Sequence, residues 1–244
     1  MARFFVNKEQ ISEQQIIIDG SDAHHIARSL RMAEGDEAVV CDGEGSEYRC
    51  TLTRIRDEEC VCEIIERIDG KTEPKTEITL CMAYPKGDKL EVVIQKAVEL
   101  GVSRIIPFES SRCIKRPKAE KAEKRTQRLA RIAEEAAKQC GRARIPNVTQ
   151  PLSYKEMLIE AKKATLPLLC YENEDGTTIK DIILNKERPD SVSIVVGSEG
   201  GFSPDEVNEA KEAGLISVSL GNRILRCETA PSFVLSALSY EFEL

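Results

Sequence analysis

From Thr76 onward, β-type apolar runs alternate with segments of helical period, and this alternation constrains the fold more than any other feature of the chain. The spacing predicts strands at 77–83, 104–108, 166–171, 191–196 and 216–220. Between them it predicts helices at 88–100, 117–140, 153–164, from 203 to Gly214, and at 230–242. Asp88 suits an N-cap and Gly101 a stop, while Ser203-Pro204-Asp205-Glu206 supplies a cap, a proline at the first helical position and a glutamate at the third. Such an order implies an α/β domain whose mostly parallel sheet is covered on both faces. The first seventy residues differ. They read as short strands at 4–6, 15–19, 37–41, 48–55 and 60–68 with turn signals such as Asp42-Gly43-Glu44-Gly45, the pattern of a small β-barrel. One helix interrupts them at 22–32, where Ala23, Ile26, Ala27 and Leu30 share a face and Arg28 and Arg31 project from another. The polar stretch 69–74, ending in Pro74, marks the boundary between a domain at 1–72 and a second at 73–244.

Two loops follow β-type runs and lead into helices: Val196-Gly197-Ser198-Glu199-Gly200-Gly201-Phe202-Ser203-Pro204 and Leu220-Gly221-Asn222-Arg223-Ile224-Leu225-Arg226-Cys227-Glu228-Thr229-Ala230. Both sit at the carboxyl ends of predicted strands, where α/β sheets bind ligands, so they imply one shared site. Gly197, Gly200 and Gly201 either let backbone approach a ligand or adopt φ > 0. A phosphate ligand fits poorly, because no Lys-Ser/Thr ending follows and Glu199 would repel it. A cationic or neutral ligand fits better, with Glu199 either facing it or anchoring the loop through backbone N–H groups.

Composition sets outer limits. The 244 residues, 41% of them hydrophobic, suffice for one large domain or a small and a medium one. No signal-like segment opens the chain and no apolar stretch approaches the roughly 20 residues of a membrane span, so a cytoplasmic protein without membrane contact is expected. Nine cysteines without a regular framework read as reduced, mostly buried thiols, and the lone Cys60-Val61-Cys62 pair gives no metal site. The net charge of −7 is uneven: residues 86–145 hold 16 basic and 8 acidic side chains, whereas 1–73 hold 9 and 17, and 146–244 hold 9 and 16. That basic block supplies a local potential for phosphate, or is simply a solvated helix face.

The two loops resemble the cofactor loops of the SPOUT methyltransferases, and specifically the RsmE family, which methylates N3 of a uridine in 16S ribosomal RNA. Upstream segments look like family motifs too: Arg3-Phe4-Phe5, His24-His25-Ile26-Ala27-Arg28-Ser29-Leu30-Arg31, Lys86-Gly87-Asp88-Lys89, Gln95 to Gly101, Ser111-Arg112-Cys113 and Gln139-Cys140-Gly141-Arg142. The resemblance implies a PUA-like RNA-binding barrel, a SPOUT-type trefoil-knotted sheet, a homodimer, and S-adenosylmethionine as methyl donor without metal. It makes Gly197, Glu199, Gly200, Gly201, Leu220, Gly221, Ile224 and Leu225 the cofactor-binding wall, and Arg3, Arg28, Arg31, Lys86, Lys89, Arg112 and Arg142 the candidate RNA contacts. Uridine N3 is a poor nucleophile while protonated, so a base must take the proton or a cation must stabilise the uracil anion; Arg226 and Glu228 are the candidates for these roles.

Other possibilities stay open on sequence alone. Cys227 stands where the family usually has Thr, and a thiolate there suggests addition to C6 of uracil with methylation at C5; alternatively Cys is only a small replacement. His24 and His25 suit packing or RNA contact rather than catalysis. An inactive ribosome-associated protein of the same fold is the alternative to the enzyme, and a nucleotide hydrolase lacks its phosphate and metal ligands; for the enzyme, the resemblance implies an assembled small subunit rather than free RNA as substrate.

Overall fold

The computed structural model describes residues 1–68, 70, 72–113, 119–184 and 187–244. The chain forms two compact units, residues 1–73 with 137–145, and residues 74–136 with 146–244. The short return of 137–145 into the first unit differs from a single boundary near 72, and its cause is electrostatic. Arg142 donates to Glu73 at 2.7 Å, Lys138 pairs with Asp22 at 3.1 Å, and Arg144 donates to the Glu44 carbonyl at 2.9 Å. The predicted helix start at 117 and the boundary residues 69 and 71 lie outside the described residues.

In the first unit, β1 (Ala2–Phe5), β2 (Gln15–Asp19), β3 (Glu37–Cys41), β4 (Glu47–Ile55) and β5 (Glu59–Ile68) form one sheet in the order β1-β3-β4-β5-β2. Strand β1 runs parallel to β3 and the other pairs are antiparallel. Alternation places Ile16 and Ile18 in the core while Ile17 is 41% exposed. Each fully buried isoleucine contributes about 1.5–3 kcal/mol of hydrophobic stabilisation. Helix α1 (Gly20–His24) widens into a π turn over His25–Leu30, and Ala23 and Ile26 both reach the core. Arg31 then adopts the left-handed conformation, φ 51°, closing the end with a Met32 N–H bond to the Ile26 carbonyl. Arg31 is therefore beyond the helix, and the expected pairing of Arg28 and Arg31 on one helical face does not occur.

In the second unit, β6 (Glu77–Ala83), β7 (Arg104–Glu109), β8 (Asn147–Val148), β10 (Leu166–Cys170), β11 (Ser191–Val196) and β12 (Ile216–Val218) form a sheet ordered β12-β10-β11-β6-β7-β8. A short β9 (Leu152–Ser153) also pairs with β7, and every pair is parallel. Residues 192–196 of β11 are all buried, as expected for a strand covered on both faces. The helices are α2 (Lys89–Glu99), α3 (Ala119–Cys140), α4 (Tyr154–Ala161), α5 (Ile179–Ile183), α6 (Pro204–Glu212) and α7 (Thr229–Phe242). Helix α7 packs on α2, α5 and β11. The two-residue strands β8 and β9 and the five-residue α5 are the elements that the sequence pattern misses. All nine cysteines are free thiols, and eight are buried. Among the described residues no helix is long and apolar enough to cross a membrane, and no group of three or more side chains is placed to hold a metal ion.

Candidate functional site

Strands β12, β10 and β11 lie side by side, so their carboxyl ends at Val218, Cys170 and Val196 deliver three loops to one edge of the sheet. These loops enclose a cavity of about 730 Å³. Gly197, Glu199, Gly201, Leu220, Gly221, Ile224, Leu225, Arg226 and Glu228 line it together. The loop after β10 adds Tyr171, Glu172, Glu174, Asp175 and Thr178, which the sequence reasoning missed. A signal was available there, since this too is a loop at the carboxyl end of a predicted strand.

The glycine loop is tightly packed. Gly201 has φ +62°, and a Cβ on it would meet the Glu172 carboxylate oxygen at 2.4 Å. A Cβ on Gly197 would meet Gly201 backbone at 3.1 Å, so the two ends of the turn touch. Gly200 serves packing rather than the cavity: its Cβ would sit 3.0 Å from that of Arg112, whose guanidinium donates to the Gly200 carbonyl at 3.0 Å. Ser203 caps α6, and its own N–H donates to the Glu206 carboxylate at 2.9 Å. The same buried carboxylate accepts from the N–H and hydroxyl of Ser111 at 2.7 and 2.8 Å. Thus Ser111 and Arg112 fasten the loop from outside. The Ser198 residue lines the cavity, but its hydroxyl is buried away from solvent and has no hydrogen-bond partner among the described residues.

A charge cluster occupies one wall. Lys89, on the first turn of α2, lies 3.1 Å from Glu199 and 3.2 Å from Glu228. Glu199 also accepts from the Lys86 N–H at 3.1 Å, so it both anchors the loop and lines the cavity. Burial raises the Glu199 pKa, but hydrogen bonds from its own N–H, the Lys86 N–H and Lys89 outweigh this and hold it below the ordinary carboxylate value. Glu228 behaves alike: burial opposes ionisation, while its own N–H, the Cys227 thiol at 3.2 Å and Lys89 bring it below its ordinary value. Hydrogen bonds to Glu199 and then Glu228 raise the Lys89 ammonium in turn. Burial first, then the neighbouring Glu228 and Glu199, push Cys227 up to about 12. Burial and the two carboxylates thus favour the thiol over the thiolate that addition to C6 of uracil would need.

The loop after β12 is far more open. Ile224 is 85% exposed, Arg223 and Arg226 are exposed, and Leu225 is partly covered. Its last part is fixed where the Arg226 carbonyl accepts the N–H groups of Thr229 and Ala230 at the start of α7.

Comparison with known proteins places this geometry. Residues 72–239 match the model of an RNA methyltransferase domain, and residues 18–65 that of an RNA methyltransferase PUA domain. The ribosomal RNA small subunit methyltransferase E of Bacillus subtilis is 35% identical across 100% of this chain and 98% of its own. The chain belongs to the ribosomal RNA small subunit methyltransferase E family. A crystal structure of the family's Neisseria gonorrhoeae member bound to S-adenosyl methionine superposes with TM-score 0.86, 30% identity, and coverage of 98% of this chain and 97% of that one. A Legionella pneumophila protein in complex with the bound cofactor SAM gives TM-score 0.87 at 30% identity, covering 98% and 97%.

The RNA-contact candidates in this family member divide by environment. Arg3 and Arg142 are internal ion-pair partners: the Arg3 side chain is 14% exposed and bonded to Glu47 at 2.7 Å, and that of Arg142 is 4% exposed and bonded to Glu73. Arg142 is buried and Arg3 partly so, and both guanidinium groups are already paired with carboxylates. Arg112 is committed to the glycine loop and Lys89 to the cavity wall. Arg28 is exposed and paired with Asp57, Nε at 2.9 Å. Lys86 is exposed, as is Arg31, which has no polar partner among the described residues. Within the basic block, Arg125 lies over the Tyr84 ring at 5.6 Å and Arg128 pairs with Glu91 at 2.9 Å.

Proposed function

We propose that this chain transfers the methyl group of S-adenosylmethionine to N3 of a uridine in 16S ribosomal RNA, acting in the cytoplasm as a homodimer on the small subunit. The observation that carries this reading is the cavity at the ends of β10, β11 and β12, with glycine backbone on one side and carboxylates on the others. The donor fits it chemically. Glu172, Glu174, Asp175, Glu199 and Glu228 suit its cationic groups. Leu220, Ile224 and Leu225 offer apolar surface to a purine ring. The knotted path through these loops belongs to the same proposal and rests on the family resemblance.

When bound, S-adenosylmethionine supplies an electrophilic methyl group. Glu228 is the acceptor for the N3 proton. Its carboxylate is a weak base, so it can take the N3 proton only as the uracil anion that forms is stabilised, after which N3 attacks the methyl group and the donor's sulfur leaves as a neutral thioether. Arg226, exposed at the mouth of the cavity, faces the developing negative charge on the uracil carbonyls. Arg28, Arg31 and Lys86 are the exposed cations that remain for phosphate contact, which gives affinity more than sequence choice.

The test is mass spectrometry of 16S RNA nucleosides after incubating the protein and S-adenosylmethionine with small subunits from cells lacking the activity. New 3-methyluridine is the expected product. Methylation at C5, or none despite proven donor and subunit binding, would overturn the reading.

A further inference from the structure

Lys89 is placed against the local electrostatics of its own helix. It occupies the first helical position of α2, where the unpaired N–H groups already present partial positive charge and an anion would be favoured. A residue that breaks a local rule is held there by something else, and here it is a pair of carboxylates from two loops. Glu199 comes from the glycine loop and Glu228 from the residue before α7, 110 and 139 positions along the chain, yet both lie within 3.2 Å of the same ammonium. Glu199 is fixed independently by the Lys86 N–H. Glu228, apart from its own N–H and the Cys227 thiol, has Lys89 as its tether.

We infer that Lys89 is a positioning residue, whose ammonium holds Glu199 and Glu228 together as a fixed anionic pair on the cavity wall. This rests on the methyl transfer proposed for the cavity. The titratable groups facing Glu228 are Lys89, Glu199 and the neutral Cys227 thiol, and the three charged ones, Lys89, Glu199 and Glu228, sum to one net negative charge. That sum suits a cationic donor, and it keeps the proton acceptor ionised and aimed. Without the ammonium, two carboxylates share one site, and the pair takes up a proton in two coupled steps.

The experiment compares wild type with Lys89→Met and Lys89→Arg. Carboxyl-carbon NMR of the ligand-free protein, with Glu228 assigned through Glu228→Gln, is expected to show the pair titrating about one pH unit or more higher in Lys89→Met and near wild type in Lys89→Arg. The acidic limb of the kcat profile should move by the same amount, with kcat at neutral pH lowered about tenfold and the donor Kd from calorimetry little changed. If Lys89→Met does not fold, Lys89→Gln repeats the comparison. Unmoved carboxyl titrations overturn the inference, as does a loss of donor affinity as large as the loss of turnover, which would make Lys89 a donor contact. Absence of 3-methyluridine from the wild-type reaction refutes the proposed function separately, because the NMR readout needs no turnover.

Discussion

The two loops that build the cavity differ in what holds them. The glycine loop is fastened from four directions: by the Gly201 N–H bond to the Ser198 carbonyl, by Glu199 to the Lys86 backbone, by Arg112 to the Gly200 carbonyl, and by Glu206 to Ser111 and Ser203. Beneath it, Phe202 stacks against Phe108 at 6.4 Å and packs on Tyr154 at 6.3 Å. The loop after β12 has a Gly221 N–H bond to the Ser219 hydroxyl at its start, the α7 N–H groups at its end, and a large apolar side chain in solvent between them. One half of the cavity is therefore built by the fold. The other half leaves the Ile224 side chain in solvent.

This contrast assigns different penalties to the two halves. Glu228 stands at the junction of the open loop and α7 and is the proton acceptor of the proposed reaction. Glu228→Gln should lower kcat by about 10²–10⁴-fold with the thermal midpoint nearly unchanged. A drop in stability comparable with the loss of turnover would erase the distinction. In wild type the carboxylate is held below its ordinary pKa, so it is ionised above that value and its contribution is lost only as pH falls through the lowered one. The Cys227 thiol at about 12 adds no change between neutral and mildly alkaline pH. Glu206 is the opposite case. Replacing it with Ala strands the Ser111 and Ser203 donors in a buried site and should cost about 2–4 kcal/mol of stability in denaturant titration. Next in size, Gly201→Ala places a side chain at φ +62° and against Glu172, which predicts about 1–2 kcal/mol of destabilisation together with weaker donor binding. Full stability in Gly201→Ala would show that the loop is not conformationally fixed.

The same contrast explains what was legible beforehand. Strands such as 15–19, 37–41 and 191–196 were readable because apolar period and burial coincide over five or six residues. The Ser203 cap was readable because its partner lies three residues away. Helix α5 was overlooked although Thr178 and Asp181 form a capping box, because five residues carry too little period to be noticed. The charged residues fared worst. Arg3 meets Glu47 and the Arg142 carbonyl, the latter 139 positions away, and Lys89 meets partners equally remote, so neither environment has a local signature. A basic residue in a basic stretch reads as a phosphate contact until the fold shows which carboxylate already faces it.

Ile224 gives the smallest and most selective test. At 85% exposure its side chain contributes little to the folded state, so Ile224→Ala should change stability by no more than about 0.5 kcal/mol. If the open loop closes over the donor, the isoleucine is covered only in the complex, and its truncation removes that gain alone. Burial of three carbons at about 0.8 kcal/mol each, only part of which is realised at a cavity edge, corresponds to a loss of donor affinity of about five- to tenfold. Calorimetry on the isolated protein reads this directly. Unchanged affinity would mean that Ile224 stays in solvent with the donor bound, leaving the RNA or a second copy of the chain to cover it, and adding ribosomal subunits or measuring the oligomeric state of the variant would then tell those two apart.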